Sequence, residues 1–125
     1  MSRILVVEDN EDLRLILEEL LGQAHEVRAA ASGEVAVQLA AEFRPEAVLL
    51  DLQLPDIDGI ATGLRIKQAV AGDVPILVLT ALGEQADREA VLNSGCCDAF
   101  LAKPATFAAI LAEVEQLLEG SRRVA

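Results

Sequence analysis

The chain is expected to fold as an α/β protein built on a doubly wound, five-stranded parallel sheet. Two observations predict this. Residues 4–7, 47–50, 75–79 and 99–102 are short apolar runs, mostly of Leu, Ile, Val and Ala, which suits strands covered on both faces rather than on one. Between such runs lie stretches with apolar residues at three- and four-residue spacing, so strand and helix alternate strictly. Short connections and right-handed crossovers then make a parallel sheet with helices on both faces the economical arrangement.

The first strand, 4–7, stops at Glu8-Asp9-Asn10. Asn10 is placed to cap a helix whose apolar face is Leu13, Ile16, Leu17, Leu20 and Leu21, ending at Gly22. Residues 26–30 read as a weaker second strand, and His25 just before it is expected to be exposed. Ser32-Gly33-Glu34 opens a second helix with Val35, Ala36, Leu39 and Ala40 facing inward. The strand 47–50 then carries Asp51 to a sheet edge. Pro55, Asp56, Asp58 and Gly59 turn the chain out of the sheet into a third helix with Ile60, Leu64 and Ile66 as its apolar positions. The strand 75–79 ends on Thr80, a helix over 86–93 is closed by Gly95, and the strand 99–102 ends on Lys103-Pro104. The last helix, 107–118, turns Ile110, Leu111, Val114, Leu117 and Leu118 inward. One domain over 1–120 follows from the length, with 121–125 a frayed tail or the start of a linker.

Composition narrows the function. Of 125 residues 53% are apolar, yet there are only three Phe and no Trp or Tyr, so the core is aliphatic. Twenty-one acidic against ten basic residues leave a net charge of −11, which argues against a nucleic-acid or anionic-membrane surface and for a cationic partner or a metal ion. No stretch reaches the ~20 apolar residues of a membrane span and the apolar run after Met1-Ser2-Arg3 is too short for a signal peptide, so a cytoplasmic protein is expected. Cys96 and Cys97 are adjacent and read as reduced, semi-buried residues.

Ligands of doubly wound sheets bind outside the carboxyl ends of the strands. There this chain places Glu8, Asp9, Asp51, Thr80 and Lys103. Three converging carboxylates repel one another, and a divalent cation relieves them. Mg²⁺ suits oxygen ligands and keeps several waters, so carboxylates and a loop carbonyl such as that of Gln53 could share it. A carboxylate beside Mg²⁺, a Lys and a Thr hydroxyl is equipped to take a phosphoryl group as an acyl phosphate. Taken singly, Glu8 and Asp9 would also suit a helix N-terminus, Thr80 a cap and Lys103 a solvated surface. Asp56 and Asp58 read as turn and cap residues outside the site.

Val6-Val7-Glu8-Asp9, Leu49-Leu50-Asp51-Leu52-Gln53-Leu54-Pro55-Asp56-Ile57-Asp58-Gly59, Leu79-Thr80-Ala81 and Phe100-Leu101-Ala102-Lys103-Pro104 resemble, in order and from residue 4 to about 118, the receiver domain of two-component response regulators. The resemblance implies the flavodoxin-like (βα)5 fold and a phosphoacceptor at Asp51, charged by a sensor histidine kinase or a phosphotransfer protein. It implies Mg²⁺ held by Asp9 and Asp51, by Glu8 largely through water, and by the Gln53 carbonyl. Further implications are a switch through Thr80 and Phe100, a cis Lys103-Pro104 bond, and dephosphorylation tuned at Gln53 and Leu82. The partners implied are a downstream effector protein or domain and a phosphorylation-dependent homodimer, with no direct nucleic-acid or membrane binding by this segment. Residues 107–119 carry no Lys or Arg, a departure from the relatives of the winged-helix class, whose dimers use bases there. Beyond self-catalysed phosphotransfer and autodephosphorylation, no enzymatic activity is expected.

There are three rivals, two of which differ at named residues. A flavin-binding protein of the same fold would offer Ser, Thr and Gly where Glu8-Asp9 stand. A phosphohydrolase with an Asp nucleophile would carry a second Asp at Gln53. The third rival is a receiver-like docking module without phosphoacceptor chemistry.

Overall fold

The structure, a computed structural model, describes residues 2–70, 74–81 and 85–123. Its order is β1 (Arg3–Val7), α1 (Glu11–Gly22), β2 (Glu26–Ala30), α2 (Gly33–Phe43), β3 (Ala47–Leu50), α3 (Gly59–Val70), β4 (Ile76–Thr80), α4 (Gln85–Asn93), β5 (Ala99–Ala102) and α5 (Phe107–Arg123). The five strands form one sheet in the order β2-β1-β3-β4-β5, every pair parallel. The expected doubly wound α/β sheet is therefore the observed one.

The apolar runs show no alternation because both faces of the sheet are covered. Along β1, Leu5 and Val7 join one core with Val48, Leu50, Ile76 and Val78, together with Ala36, Ala40, Ile66 and Val91 of α2, α3 and α4. Ile4 and Val6 point the other way, with Leu49, Leu77 and Leu79, against Leu17 and Leu21 of α1 and Ile110, Val114 and Leu118 of α5. Period two along each strand divides a continuous apolar run between two cores.

Several expectations are corrected at the level of faces and ends. Ile16, Val35 and Leu64 are exposed rather than inward. The contact between α2 and α3 uses small residues instead: Gly33 and Thr62 are buried, and a Cβ added to Gly33 would lie 2.7 Å from Thr62 Oγ1. Phe43 completes the buried stripe of α2. His25 is buried rather than exposed, its Nε2 2.7 Å from Glu115 Oε1 on α5. Cys96 and Cys97 are both fully inside and free. The last helix runs on to Arg123 instead of ending near Leu118, because Gly120 does not take the left-handed conformation that stops a helix. Val124 and Ala125 of the expected tail lie outside the described residues. Gly95 does adopt that conformation, φ +83°, just past α4.

Strand order reverses between β1 and β3, since the chain runs from β1 outward to β2 and then returns to β3 on the other side. At such a point the loops diverge and leave a crevice beyond the strand ends.

Candidate functional site

The loops at this crevice are those after β1 and β3, with the ends of β4 and β5 beside them. Glu8 continues the ladder past β1, its amide donating to the Ala30 carbonyl at 3.0 Å, and the Asp51 amide donates to the Val7 carbonyl at 2.9 Å. Two ladder bonds thus place two acids side by side on neighbouring strands. Lys103 is brought in the same way, its amide donating to the Thr80 carbonyl at 2.8 Å. The Lys103-Pro104 bond is cis.

The side chains converge. Lys103 Nζ lies 2.7 Å from Glu8 Oε1 and 3.0 Å from Asp51 Oδ2, bridging both. Asp51 Oδ1 accepts from the Gln53 amide at 2.9 Å, and Glu8 Oε2 from the Asn10 amide at 3.1 Å. Asn10 is also the cap of α1, its Oδ1 accepting from the Leu13 amide at 2.9 Å. Carboxylate oxygens of Glu8, Asp9 and Asp51 lie within 4.8 Å of one another, with Glu8 and Asp51 buried and Asp9 open to solvent. Thr80 is wholly buried, and among the described residues its hydroxyl has no hydrogen-bond partner.

The electrostatics are unbalanced. Burial pushes the Glu8 carboxyl above its ordinary value and the nearby Asp51 adds to this, against the lowering bonds from Lys103 and the Asn10 amide. Burial also works against the Lys103 ammonium, but Glu8 and Asp51 outweigh it and hold it above the usual lysine value. Lysine therefore gains from this arrangement, while Glu8 loses more to burial than its partners return. Three carboxylates and one ammonium leave two negative charges, the amount a divalent cation would balance. That imbalance, the clustered oxygen donors and the unpartnered Thr80 hydroxyl fit these residues to a hard cation and an anionic oxygen ligand.

Arg14, which carries no site signature in the sequence, also contributes. Arg14 Nη1 donates to the carbonyls of Glu8 at 3.0 Å and Asp9 at 3.3 Å, holding the acidic loop from one turn into α1. Asp56 caps another helix, as described below, and Asp58 Oδ1 accepts from the Ile60 amide at 3.1 Å at the start of α3. Phe100 is already buried, with Arg88 Cζ 5.8 Å from its ring centroid. An inward turn of Phe100 on switching would here start from its end point. Gln53 is exposed, and Leu82 lies outside the described residues. Beside Lys103 an apolar cleft of about 410 Å³ is lined by Leu13, Pro104, Phe107 and Ile110 among others.

An acid-lined crevice with a lysine and a buried threonine, at the switch point of a 2-1-3-4-5 parallel sheet, defines a class of cation- and oxyanion-binding α/β proteins. Comparison with known proteins makes the class specific. The family described as "Response regulator receiver domain" matches residues 4–115. Transcriptional regulatory protein PrrA of Mycobacterium tuberculosis is 38% identical over 117 residues, 93% of this chain and 49% of PrrA. Response regulator PleD of Caulobacter vibrioides is 36% identical over 118 residues, 93% of this chain and 26% of PleD. The chain thus spans about half the length of one relative and a quarter of the other. The receiver domain of sensor histidine kinase PA1611 from Pseudomonas aeruginosa, solved with a magnesium ion coordinated in its active-site cleft, superposes with a TM-score of 0.83 at 33% identity, covering 94% of this chain and 98% of that one. This chain belongs to the response regulator receiver domain family of bacterial two-component systems. Among the described residues, no helix is long and apolar enough to cross a membrane.

Proposed function

We propose that this domain accepts a phosphoryl group on Asp51 from a phosphohistidine of a sensor histidine kinase or phosphotransfer protein. The observation that carries this is the buried Asp51 carboxylate, bridged by Lys103 at 3.0 Å, with the Thr80 hydroxyl buried and unpartnered one strand away. Glu8, Asp9, Asp51 and the Gln53 carbonyl would hold Mg²⁺, as the magnesium-bound PA1611 receiver supports. When bound, the ion supplies charge neutralisation at the transferring phosphoryl oxygens.

In the transfer an Asp51 carboxylate oxygen bonds to phosphorus as the phosphorus–nitrogen bond breaks, and its electron pair stays on the imidazole. Lys103 follows the new negative charge from its present position between Glu8 and Asp51. Thr80 donates its hydroxyl to a phosphoryl oxygen, gaining a partner it lacks at rest.

Charge-assisted hydrogen bonds are worth about 1.5–3 kcal/mol each, and moving a two-state domain from 1:99 to 99:1 takes about 5.5 kcal/mol. Lys103 is already bonded, so its gain is partial and the population shift is incomplete. With Phe100 already inside, the change starts at Thr80 and reaches the face formed by α4, β5 and α5, where an effector protein or domain, or a second copy, would respond. The domain acts in the cytoplasm as a free-standing regulator or as part of a larger one. Its apolar cleft beside Lys103 offers a docking face close to the chemistry.

The test is intact mass after incubation with a small phosphodonor such as phosphoramidate, with and without Mg²⁺, for wild type and Asp51→Asn. A metal-dependent acyl phosphate that the variant lacks is expected. A folded wild type that stays unmodified would overturn the reading in favour of a docking module.

A further inference from the structure

Asp56 reaches from the β3–α3 loop to a different helix. Its Oδ1 accepts from the Gly33 amide at 2.8 Å and its Oδ2 from the Glu34 amide at 3.0 Å, at the N-terminus of α2. The first amides of a helix have no partner within it. Ser32, the local cap, takes only the Val35 amide, at 3.3 Å, and Asp56 takes the two that Ser32 leaves. Oδ1 also accepts from the Ile57 amide at 2.9 Å, which closes the loop around the carboxylate. The close approach depends on Gly33, where an added Cβ would lie 3.0 Å from Ile57 Cβ.

The same loop carries Asp51 and Gln53. At its start Leu52 is buried, and at its end Gly59 fits beneath the Leu52 backbone with no room for a Cβ. Between these points Gln53, Pro55 and Asp56 are exposed, and Asp56's bonds to α2 tie this outer stretch to the body of the domain.

We infer that Asp56 is a positioning residue for the cation site, holding the loop of Asp51 and Gln53 in register by capping α2 from across the crevice. This rests on the reading of Asp51 and the Gln53 carbonyl as Mg²⁺ ligands. Partners that orient metal ligands are worth 10–100-fold in affinity, and Asp56 acts one step further out, so its loss should cost roughly three- to tenfold.

The experiment is calorimetric titration of Mg²⁺ into wild type, Asp56→Ala, Asp56→Asn and Ser32→Ala, each paired with a thermal melt. Ser32→Ala removes a cap from the same helix without touching the loop. It should lower the melting temperature and leave Mg²⁺ affinity within about twofold of wild type. Asp56→Ala should lower both, and Asp56→Asn, with one acceptor oxygen, should fall between. If Asp56→Ala keeps wild-type affinity, or Ser32→Ala loses as much affinity as it does, Asp56 is only a helix cap and the inference is overturned. Should Asp56→Ala not fold, Asp56→Asn against Ser32→Ala decides by the same criterion. A wild type that does not bind Mg²⁺ overturns the underlying reading, and the inference with it, in a way the variants alone cannot imitate.

Discussion

The two acidic loops at the carboxyl edge of the sheet carry their charge in opposite ways. After β1, Glu8 is only 2% exposed, and its burial outweighs the hydrogen bonds it receives. After β3, Asp56 is exposed, and the Glu34 and Gly33 amides hold its carboxyl below the usual carboxylate value. One carboxylate is left wanting a cation and the other is satisfied by the fold. The contrast teaches that unbalanced charge is concentrated beside Asp51, where the proposed chemistry needs it, while the frame that holds Asp51 is built from contented bonds.

The largest way to break this contrast is Lys103→Met, which leaves Glu8 and Asp51 as neighbouring buried carboxylates with no ammonium between them. In magnesium-free buffer the variant should lose about 2 kcal/mol of stability, and saturating Mg²⁺ should return much of it. Urea melts with and without the metal measure both. A variant as stable as wild type without metal would show that the first loop carries no such imbalance. A smaller change of opposite sign is expected from Glu8→Gln, which removes the buried charge and keeps one acceptor oxygen. The apo protein should gain about 1 kcal/mol, a rise of roughly 3 °C in melting temperature, while Mg²⁺ affinity falls about tenfold. Gain and loss in one variant would mark Glu8 as a residue held for binding rather than for folding.

The residues at strand ends were legible because each marks where an apolar run stops, and a parallel sheet aligns those stops along one edge. Glu8, Asp51, Thr80 and Lys103 needed no more than this to be placed together. What could not be read depends on partners far apart in the chain. His25 finds Glu115 ninety residues away and Asp56 finds Gly33 twenty-three away, and neither spacing has a local signature. The helix faces of α2 and α3 failed for another reason. Counting large apolar side chains favours Val35 and Leu64, whereas close helix approach selects Gly33 and Thr62, to which hydrophobic periodicity gives no weight. Gly63 is selected in the same way where α3 meets the loop between α4 and β5, since an added Cβ would lie 2.6 Å from the Cys96 carbonyl oxygen.

The smallest effect separates the two carboxylates by pH. Because backbone amides favour charged Asp56, its folded pKa lies below its unfolded value, near 3.9. Its contribution to stability is therefore complete above that value and is lost as the pH falls through the folded one. Asp56→Asn cannot titrate, so the stability gap between wild type and variant should be widest above about pH 5 and narrow on acidification. Added salt should narrow it too, since the group is exposed and screened. Urea melts across this range give the gap, and carbon-detected NMR of the Asp56 carboxyl gives the pKa directly. A gap that ignores pH would mean that oxygen acceptors, not charge, hold the loop to α2. The second loop would then be neutral in its energetics, and the contrast with Glu8 would reduce to burial alone.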